Sequence, residues 1–117
     1  MIFLKIAIVG SRNIPDEEKA YRLIKENIPK ECTEIVSGGA KGIDTLAERY
    51  AKEMGLIFTI FQPDYKKYGR RAALLRNTQI VEYADEVYAF WDMNSNGTLD
   101  TLIKCRDSKK SYKIIRI

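Results

Sequence analysis

Residues 37–44 read Ser-Gly-Gly-Ala-Lys-Gly-Ile-Asp and join a β-branched strand to an amphipathic helix. Glycine lacks a Cβ atom, so Gly38, Gly39 and Gly42 can take positive φ angles and let a ligand approach the backbone. The first turn of the following helix presents unpaired N–H groups and the positive end of the helix dipole. The segment therefore predicts a seat for an anionic, nucleotide-like ligand. The alternative is a tight strand-to-helix turn that needs glycine only for its geometry.

Strand and helix patterns alternate on both sides of this segment. Strands are predicted at residues 3–9, about 34–36, 56–61, 86–90 and 112–117. Helices are predicted from near Pro15, from the end of the glycine segment to Gly55, from about 70 to 83 and from about 98 to 108. This order predicts an α/β protein with a three-layer Rossmann-like fold, in which about four helices cover a mainly parallel five-stranded sheet.

The carboxyl edge of such a sheet is where ligands bind. Four loops are expected to meet there, at residues 10–13, 37–42, 62–69 and 91–97. The polar and glycine-rich residues of the chain are concentrated in these loops, so the binding site is predicted at this edge.

Composition limits the chemistry. The 117 residues, 45% of them apolar, are expected to form a single domain spanning residues 1–117. Because the chain has no histidine and its two cysteines, Cys32 and Cys105, are far apart, no zinc site or Cys-His nucleophile pair can form. We expect no metal and no cofactor, and two reduced thiols.

Charge and targeting patterns indicate a cytoplasmic protein. The apolar opening is interrupted by Lys5 and is too short for a signal peptide or a membrane span. The formal net charge of +4 is mild and includes basic pairs at 66–67, 70–71 and 109–110. These pairs fit a solvated surface or a basic mouth for a phosphate ligand, whereas a denser basic face would better support nucleic-acid binding.

Two known phosphate motifs do not describe the glycine segment. Lys41 precedes Gly42, so the Gly-Lys-Ser/Thr ending of a P-loop is absent. Ser37 replaces the first glycine of the dinucleotide-binding fingerprint, and the segment follows the second strand, not the first.

The loop after the first strand reads Gly10-Ser11-Arg12 and supplies a hydroxyl and a guanidinium that could hold a phosphate. A turn with a surface arginine is the alternative. Asp44, near the start of the second helix, either favours the helix dipole or holds Arg12 or a ligand hydroxyl.

Arg76 and Asn77 interrupt an otherwise apolar helical face. A polar side chain on a buried stripe needs partners. Asn77 therefore either ties the third helix to the glycine loop or reaches a ligand, and Arg76 is expected to neutralise phosphate charge.

The loop after the fourth strand combines Trp91, which could stack on a base, with Ser95, Gly97 and Thr98 at a second helix start that can receive an anion. The alternative is a polar turn with Thr98 as a capping residue. Residues 65–68, Tyr-Lys-Lys-Tyr, are either a flap over the pocket or a solvated loop.

These motifs together resemble the SLOG superfamily, which joins the DNA-processing Smf proteins, the Lonely Guy hydrolases and small stand-alone bacterial or phage proteins. The resemblance rests on four motifs: Gly10-Ser11-Arg12, residues 37–47, Arg76-Asn77 and residues 95–98. They follow one another in the same order as in the superfamily and span nearly the whole chain. The chain looks most like the stand-alone proteins. The resemblance implies a Rossmann-like fold, a nucleotide or nucleotide-derived ligand, and a homo-oligomer.

Departures from the motifs separate the branches of the superfamily. Thr101 stands where the Lonely Guy hydrolases carry their catalytic glutamate, and Asp100 is one residue early, which turns it by about 100° on a helix. Weak catalytic candidates are therefore Arg76, Asp92 and Asp100. The Smf proteins differ from this sequence in having a longer chain and a strongly basic DNA surface.

The sequence thus predicts a small protein that binds a nucleotide or nucleotide-derived molecule as a sensor or regulator, and no contact with a membrane. The predicted ligand-binding residues are Gly10, Ser11, Arg12, Ser37, Gly38, Gly39, Ala40, Gly42, Asp44, Arg76, Asn77, Trp91, Ser95, Gly97 and Thr98. One alternative is hydrolysis of a nucleoside monophosphate by a Lonely Guy-like phosphoribohydrolase. The second is single-stranded nucleic-acid binding related to DNA processing.

Overall fold

Period-two and helical apolar patterns alternate along the chain, and the computed structural model, which describes residues 2–117, has strands and helices in the same order. The strands are β1 (Lys5–Gly10), β2 (Glu34–Ser37), β3 (Ile57–Ile60), β4 (Glu86–Trp91) and β5 (Ser111–Arg116). The helices are α1 (Glu17–Asn27), α2 (Ile43–Met54), the short α3 (Tyr65–Tyr68), α4 (Ala72–Tyr83) and α5 (Asn96–Ser108).

The five strands form one sheet in the order β3-β2-β1-β4-β5, and all four pairings are parallel. Ala7 of β1 lies between Val36 of β2 and Val87 of β4, so β1 is the central strand. The predicted Rossmann-like fold is confirmed.

Two apolar layers cover the sheet because side chains along β1 alternate between its faces. Ile6 and Ile8 pack with the inner sides of α1 and α2. Ala7 and Val9 pack with α4 and α5. Each fully buried isoleucine contributes about 1.5–3 kcal/mol by leaving water, so this central strand anchors both layers.

Two helices begin at positions other than the predicted ones. The α1 helix begins at Glu17, not near Pro15, because the Asp16 side chain caps it by accepting a 3.0 Å hydrogen bond from the Lys19 N–H. The α5 helix begins at Asn96, two residues before Thr98, with Ser95 at the N-cap position. Thr98 therefore lies inside the first turn and is not the capping residue.

Residues 62–71 differ most from the sequence-based expectation of a loop followed by a helix from residue 70. Asp64 caps α3 by accepting a 3.1 Å hydrogen bond from the Lys67 N–H. Gly69 then takes a φ of 58° and starts a 3₁₀ turn (Gly69–Arg71), so α4 begins at Ala72. The predicted loop thus contains a one-turn helix.

Both cysteines are free and buried, as expected for reduced thiols. Within residues 2–117, no helix has the length and apolar character required to cross a bilayer.

Candidate functional site

The chain leaves β1 and β4 in opposite directions across the sheet. From β1 it continues through α1 to β2 on one side, and from β4 it continues through α5 to β5 on the other. The loops after two such neighbouring strands diverge and leave a crevice at the carboxyl edge. A pocket of about 250 Å³ occupies this crevice. It is lined by Val9, Gly10, Arg12, Gly38, Asp44, Arg76, Asn77, Ile80, Ser95, Asn96, Gly97, Thr98 and Thr101.

Arg76 is the central cation of this pocket. Only 8% of its surface is exposed. Its guanidinium donates hydrogen bonds to the Gly38 carbonyl oxygen at 2.5 Å and to the Asn77 Oδ1 at 3.0 Å. Burial lowers the pKa of Arg76, and the nearby Asp44 carboxylate opposes that shift. The Arg76 Nη2 donates no hydrogen bond to any residue in the described range 2–117, so it is available to an anion.

Arg12 is a second cation at the pocket mouth. Its side chain is exposed and makes no hydrogen bond or ion pair with the residues that the structure describes. Arg12 therefore differs from Arg76 in kind, because it can move toward a ligand without breaking contacts within the fold.

The glycines beside Arg76 are required by close packing. A Cβ atom at Gly38 would lie 2.4 Å from the Arg76 Nη1, and one at Gly42 would lie 2.4 Å from the backbone oxygens of Ser11 and Arg12. Gly42 also takes a φ of 78°, which side chains disfavour. The fold itself therefore explains Gly42 without a ligand, whereas a side chain at Gly38 would have to displace the end of the Arg76 side chain.

Two of the N–H groups that were predicted to seat a phosphate, those of Gly39 and Ala40, are occupied by side chains of the same segment. The Gly39 N–H donates to the Ser37 Oγ at 3.3 Å, and the Ala40 N–H donates to the Asp44 Oδ2 at 3.0 Å. Of this segment, only Gly38 and Asp44 line the pocket. The segment shapes the pocket wall more than it offers donors.

Free backbone donors line the pocket at the start of α5. The Ser95 side chain makes no capping hydrogen bond, and the first paired N–H of this helix is that of Leu99, which bonds to the Ser95 oxygen. Within the described part of the chain, the N–H groups of Asn96, Gly97 and Thr98 have no acceptor, as is normal for a first helical turn. This end of α5 can therefore receive an anion in the pocket.

Asn77 connects α4 to α5. Its Oδ1 accepts from the Arg76 Nε, and its Nδ2 donates to the Asp100 Oδ2 at 3.0 Å and to the Gly97 oxygen at 3.4 Å. The predicted tie between this helix and the glycine loop exists, but Arg76 makes it, not Asn77. Asn77 instead orients Arg76 and the start of α5 relative to each other.

Asp44 is the carboxylate among the lining residues. Burial raises its pKa, while the Ala40 N–H and the charges of Arg76 and Arg12 act in the opposite direction. Asp44 makes no ion pair with Arg12 within 4 Å in the described structure. Its observed role is to hold the glycine segment through Ala40.

Ser11 and Ser37 are buried and serve the fold. The Ser11 Oγ accepts from the Asp92 N–H at 2.9 Å, and the Ser11 backbone oxygen accepts from the Ile43 N–H at 3.0 Å. Ser11 does not line the pocket, and its hydroxyl oxygen joins β1 to the end of β4, so the predicted contact of this hydroxyl with phosphate stays a prediction.

Trp91 is buried and does not present a stacking surface. It is 8% exposed, packs in the apolar layer under α4 and α5, and donates its indole N–H to the Ser95 oxygen at 3.0 Å. The sequence signal for this burial is the alternation of Val87, Ala89 and Trp91. In the structure β4 extends one residue beyond the predicted strand, so these three side chains share one face of the sheet. The predicted base-covering role of Trp91 is corrected accordingly.

The two acidic catalytic candidates are both engaged elsewhere. Asp92 accepts from the N–H groups of Asn94 and Ser95, each at 2.9 Å, and these bonds lower its pKa. Asp100 binds Asn77 and forms a 2.6 Å ion pair with Lys104. Neither carboxylate lines the pocket.

Thr101 does line the pocket, at the position that the hydrolase resemblance gives to a glutamate. Its hydroxyl donates to the Gly97 oxygen at 3.2 Å. The motif reasoning found this position, and Asn96 and Thr101 are the polar lining residues that the predicted ligand set omitted. For Thr101 the available signal was its helical spacing from Gly97 and Thr98, which places it on the same face of the helix.

No cluster of three or more histidine, cysteine, aspartate or glutamate side chains suited to a metal occurs in residues 2–117.

Comparison with known proteins places the chain near DNA-processing proteins. The family model described as DNA recombination-mediator protein A matches residues 3–62, which covers β1 to β3 and the glycine segment. The Gene 61 protein of Mycobacterium phage D29 is 29% identical over 102 residues, which cover 80% of this chain and 82% of that protein.

Two solved structures share the fold. DNA processing protein A from Streptococcus pneumoniae matches with a TM-score of 0.75 and 24% identity over 96% of this chain. The same protein from Helicobacter pylori, whose structure is described as showing a single-stranded DNA binding mode, matches with a TM-score of 0.72 and 20% identity over 95% of this chain. The chain spans 50% and 64% of the lengths of these two proteins.

Proposed function

The chain belongs to the DNA recombination-mediator protein A family, and from this premise we propose that it binds single-stranded DNA by seating a backbone phosphate in the pocket between β1 and β4. This proposal changes the order of the functions expected from the sequence, in which a free nucleotide came first. The family and the binding mode described for the Helicobacter pylori protein support the change.

One observation carries the proposal: three kinds of anion-binding group surround a single small pocket. They are the nearly buried Arg76, the exposed Arg12 and the unpaired N–H groups at the start of α5. A phosphate accepts hydrogen bonds from all three, and charge-assisted bonds from arginine are the strongest of them. Because Arg76 is already fixed by Gly38 and Asn77, little ordering is required when the phosphate binds.

The size of the pocket favours a strand over an enclosed nucleotide. At about 250 Å³ it is smaller than the roughly 300–1,000 Å³ of typical small-molecule sites. Trp91, the aromatic expected to cover a base, is buried and does not line the pocket. A phosphate and part of its sugar fit such a pocket, while the base and the rest of the strand extend along the protein surface.

The surface next to the pocket carries the charge that a strand needs. Residues 66–71 contain Lys66, Lys67, Arg70 and Arg71, and all four side chains are exposed. Single-stranded nucleic-acid sites combine such a basic surface with aromatic side chains.

A free nucleotide or nucleotide-derived signal is the second candidate, because the same groups bind a terminal phosphate and the pocket lies at the position where open α/β sheets bind nucleotides. Hydrolysis is less well supported. Asp92 and Asp100 do not line the pocket, which leaves Asp44 to act as the acid or base.

Fluorescence anisotropy with labelled oligo(dT) tests the proposal. We expect wild-type protein to bind the strand, Arg76→Ala to weaken binding at least tenfold, and Arg106→Ala to leave it unchanged. Arg106 is the matched control, since it is an exposed arginine of α5 about two and a half turns away from Gly97.

Competition separates the candidates. Excess thymidine 5′-monophosphate should displace the labelled strand only weakly, because it supplies one phosphate and no strand. If mononucleotides compete as well as strands of equal nucleotide concentration, the second candidate is correct. If the wild-type protein binds neither, the proposed function is wrong. Release of free base from nucleoside monophosphates would favour the hydrolase alternative.

A further inference from the structure

A second cavity adjoins the phosphate pocket, and Arg76 lines both. We call this cavity of about 370 Å³ the α3 groove, and it is lined by Gln62, Asp64, Lys67, Tyr68, Ala72, Leu75, Arg76, Thr78 and Gln79. We propose that the α3 groove is a second nucleotide subsite: Arg76 binds the 5′-phosphate of one nucleotide, and the base of the preceding nucleotide in the strand stacks on Tyr68. This inference rests on the proposed function and extends it from one phosphate to two consecutive nucleotides.

The segment that forms one wall of the groove contributes nothing to the core. No side chain of α3 or of the 3₁₀ turn that follows it is buried. Tyr65 is 57% exposed and Tyr68 is 43% exposed. Neither of these large aromatic side chains belongs to the apolar core, and exposed aromatic side chains are the platforms on which single-stranded bases stack.

Tyr68 is combined with a cation inside the groove. The Lys67 Nζ lies 5.2 Å from the centre of the Tyr68 ring, and both residues line the cavity. A stacked base and its phosphate need this pairing of a flat apolar surface with a positive charge. Asp64, the anionic lining residue, is held as the cap of α3 by its hydrogen bond from the Lys67 N–H.

The other lining groups suit a base more than a second phosphate. Gln62, Thr78 and Gln79 supply amide and hydroxyl groups, each able to donate and accept, and Leu75 and Ala72 supply apolar surface. Arg76 is the shared wall, so a phosphate bound to it lies between the two cavities. The smallest ligand that uses both cavities is therefore a dinucleotide.

The test is the dependence of affinity on strand length. Binding of thymidine 5′-monophosphate, the dinucleotide and longer oligo(dT) is compared in wild type, Tyr68→Ala and Tyr68→Phe. We expect Tyr68→Ala to weaken the dinucleotide and longer strands roughly 5- to 150-fold, the range for loss of one stacked base. Tyr68→Phe keeps the ring and should stay within about twofold.

Two controls make the result decisive. Tyr112→Ala removes a 40%-exposed tyrosine from β5, at the sheet edge opposite β3, and should not change binding. Thymidine 5′-monophosphate should bind Tyr68→Ala and wild type equally, since it uses only the Arg76 pocket. Equal melting temperatures are expected because Tyr68 is outside the core.

The outcomes for the subsite and for the proposed function are distinct. If Arg76→Ala loses strand binding while Tyr68→Ala binds every length like wild type, the α3 groove is not a subsite and the proposed function stands. If Tyr68→Phe is as weak as Tyr68→Ala, the hydroxyl and not the ring is recognised, and stacking is wrong. If Arg76→Ala binds strands like wild type, the proposed function itself fails.

Discussion

The Arg76 guanidinium lies directly against the backbone of Gly38, where its Nη1 donates to the Gly38 carbonyl oxygen. A Cβ atom at position 38 would come within 2.4 Å of that nitrogen. The position of the Arg76 guanidinium and the backbone of the glycine segment at Gly38 therefore depend on each other. Any side chain at position 38 has to move Arg76.

Gly38→Ala should therefore reduce both stability and binding. The inserted methyl group displaces a nearly buried arginine, and such overpacking costs about 1–3 kcal/mol of unfolding free energy. Urea denaturation and oligo(dT) anisotropy measure the two effects. Gly97→Ala is the matched control for stability, because its Cβ has no neighbour within 4 Å. A Gly38→Ala protein that matches wild type in both assays would contradict the packing described here.

Asn77→Ala should destabilise the protein by about 1–3 kcal/mol, because it leaves the Arg76 Nε and the Asp100 carboxylate without their bridging partner. Binding should also weaken, since Asn77 orients Arg76 toward the start of α5. Chemical denaturation gives the free energy. Asn13→Ala is a suitable control because Asn13 is exposed and its side chain makes no hydrogen bond among the described residues. Equal loss in both variants would count against the bridge.

Affinity should increase as the pH falls through the raised pKa of Asp44. Protonation removes the negative charge from the pocket lining and leaves Arg12 and Arg76 uncompensated. Oligo(dT) is the appropriate probe, because its phosphodiesters and thymines keep their charge in this range. Asp44→Asn should bind more tightly than wild type at neutral pH and should lose this pH dependence. A parallel pH response in both proteins would exclude Asp44 as its source.

The same carboxylate should lower stability at neutral pH. Because its pKa is higher in the folded protein than in the unfolded chain, the folded state holds the proton more tightly. Asp44 thus contributes most stability below the ordinary aspartate pKa of about 3.9, and that contribution is lost as the pH rises through the folded value. Asp44→Asn should be more stable than wild type at neutral pH, and the difference should disappear in acid. Denaturation curves across this interval measure it.

Arg12→Ala should change the salt dependence of binding without changing stability. The side chain is exposed and unpaired within residues 2–117, so its removal leaves no buried group unsatisfied. Loss of one phosphate contact reduces the slope of log K against log salt by about 0.7 for a single strand. Anisotropy titrations at several salt concentrations give the slope, and Arg106→Ala should leave it as in wild type.

Both thiols should resist labelling until the protein unfolds. Burial raises the pKa of Cys105 to about 11 and also raises that of Cys32. At neutral pH the Cys105 thiolate is then on the order of one molecule in ten thousand, and no reagent can reach it. A colourimetric thiol reagent should react with neither cysteine in the native protein and with both in urea. Rapid reaction of one thiol in the native state would show that the apolar layer around that cysteine opens to solvent.

The homo-oligomer, the cytoplasmic location and the ligand-binding role of the pocket residues stay predictions. Size-exclusion chromatography with light scattering would measure the first directly.

Local patterns were sufficient for the architecture. The stripe from Ile43 to Ala51 and the period-two runs of β1 and β4 each specify their element through neighbours a few residues away. Alternation of strands and helices then limits the sheet to a parallel arrangement. The sequence by itself therefore determined the fold class and the edge at which polar loops meet.

Only the tertiary structure decided which polar groups are free at that edge. The Ser11 Oγ accepts a hydrogen bond from the N–H of Asp92, which is 81 residues away along the chain. The Gly38 carbonyl oxygen accepts one from Arg76, which is 38 residues away. The donors that line the pocket include those of Arg12, Arg76 and the start of α5, whereas two N–H groups of the glycine segment are occupied by Ser37 and Asp44. A buried hydrogen-bonding group must pair with one of the few polar groups near it. Which group lies near it depends on how distant segments of the chain pack, and no local sequence pattern contains that information.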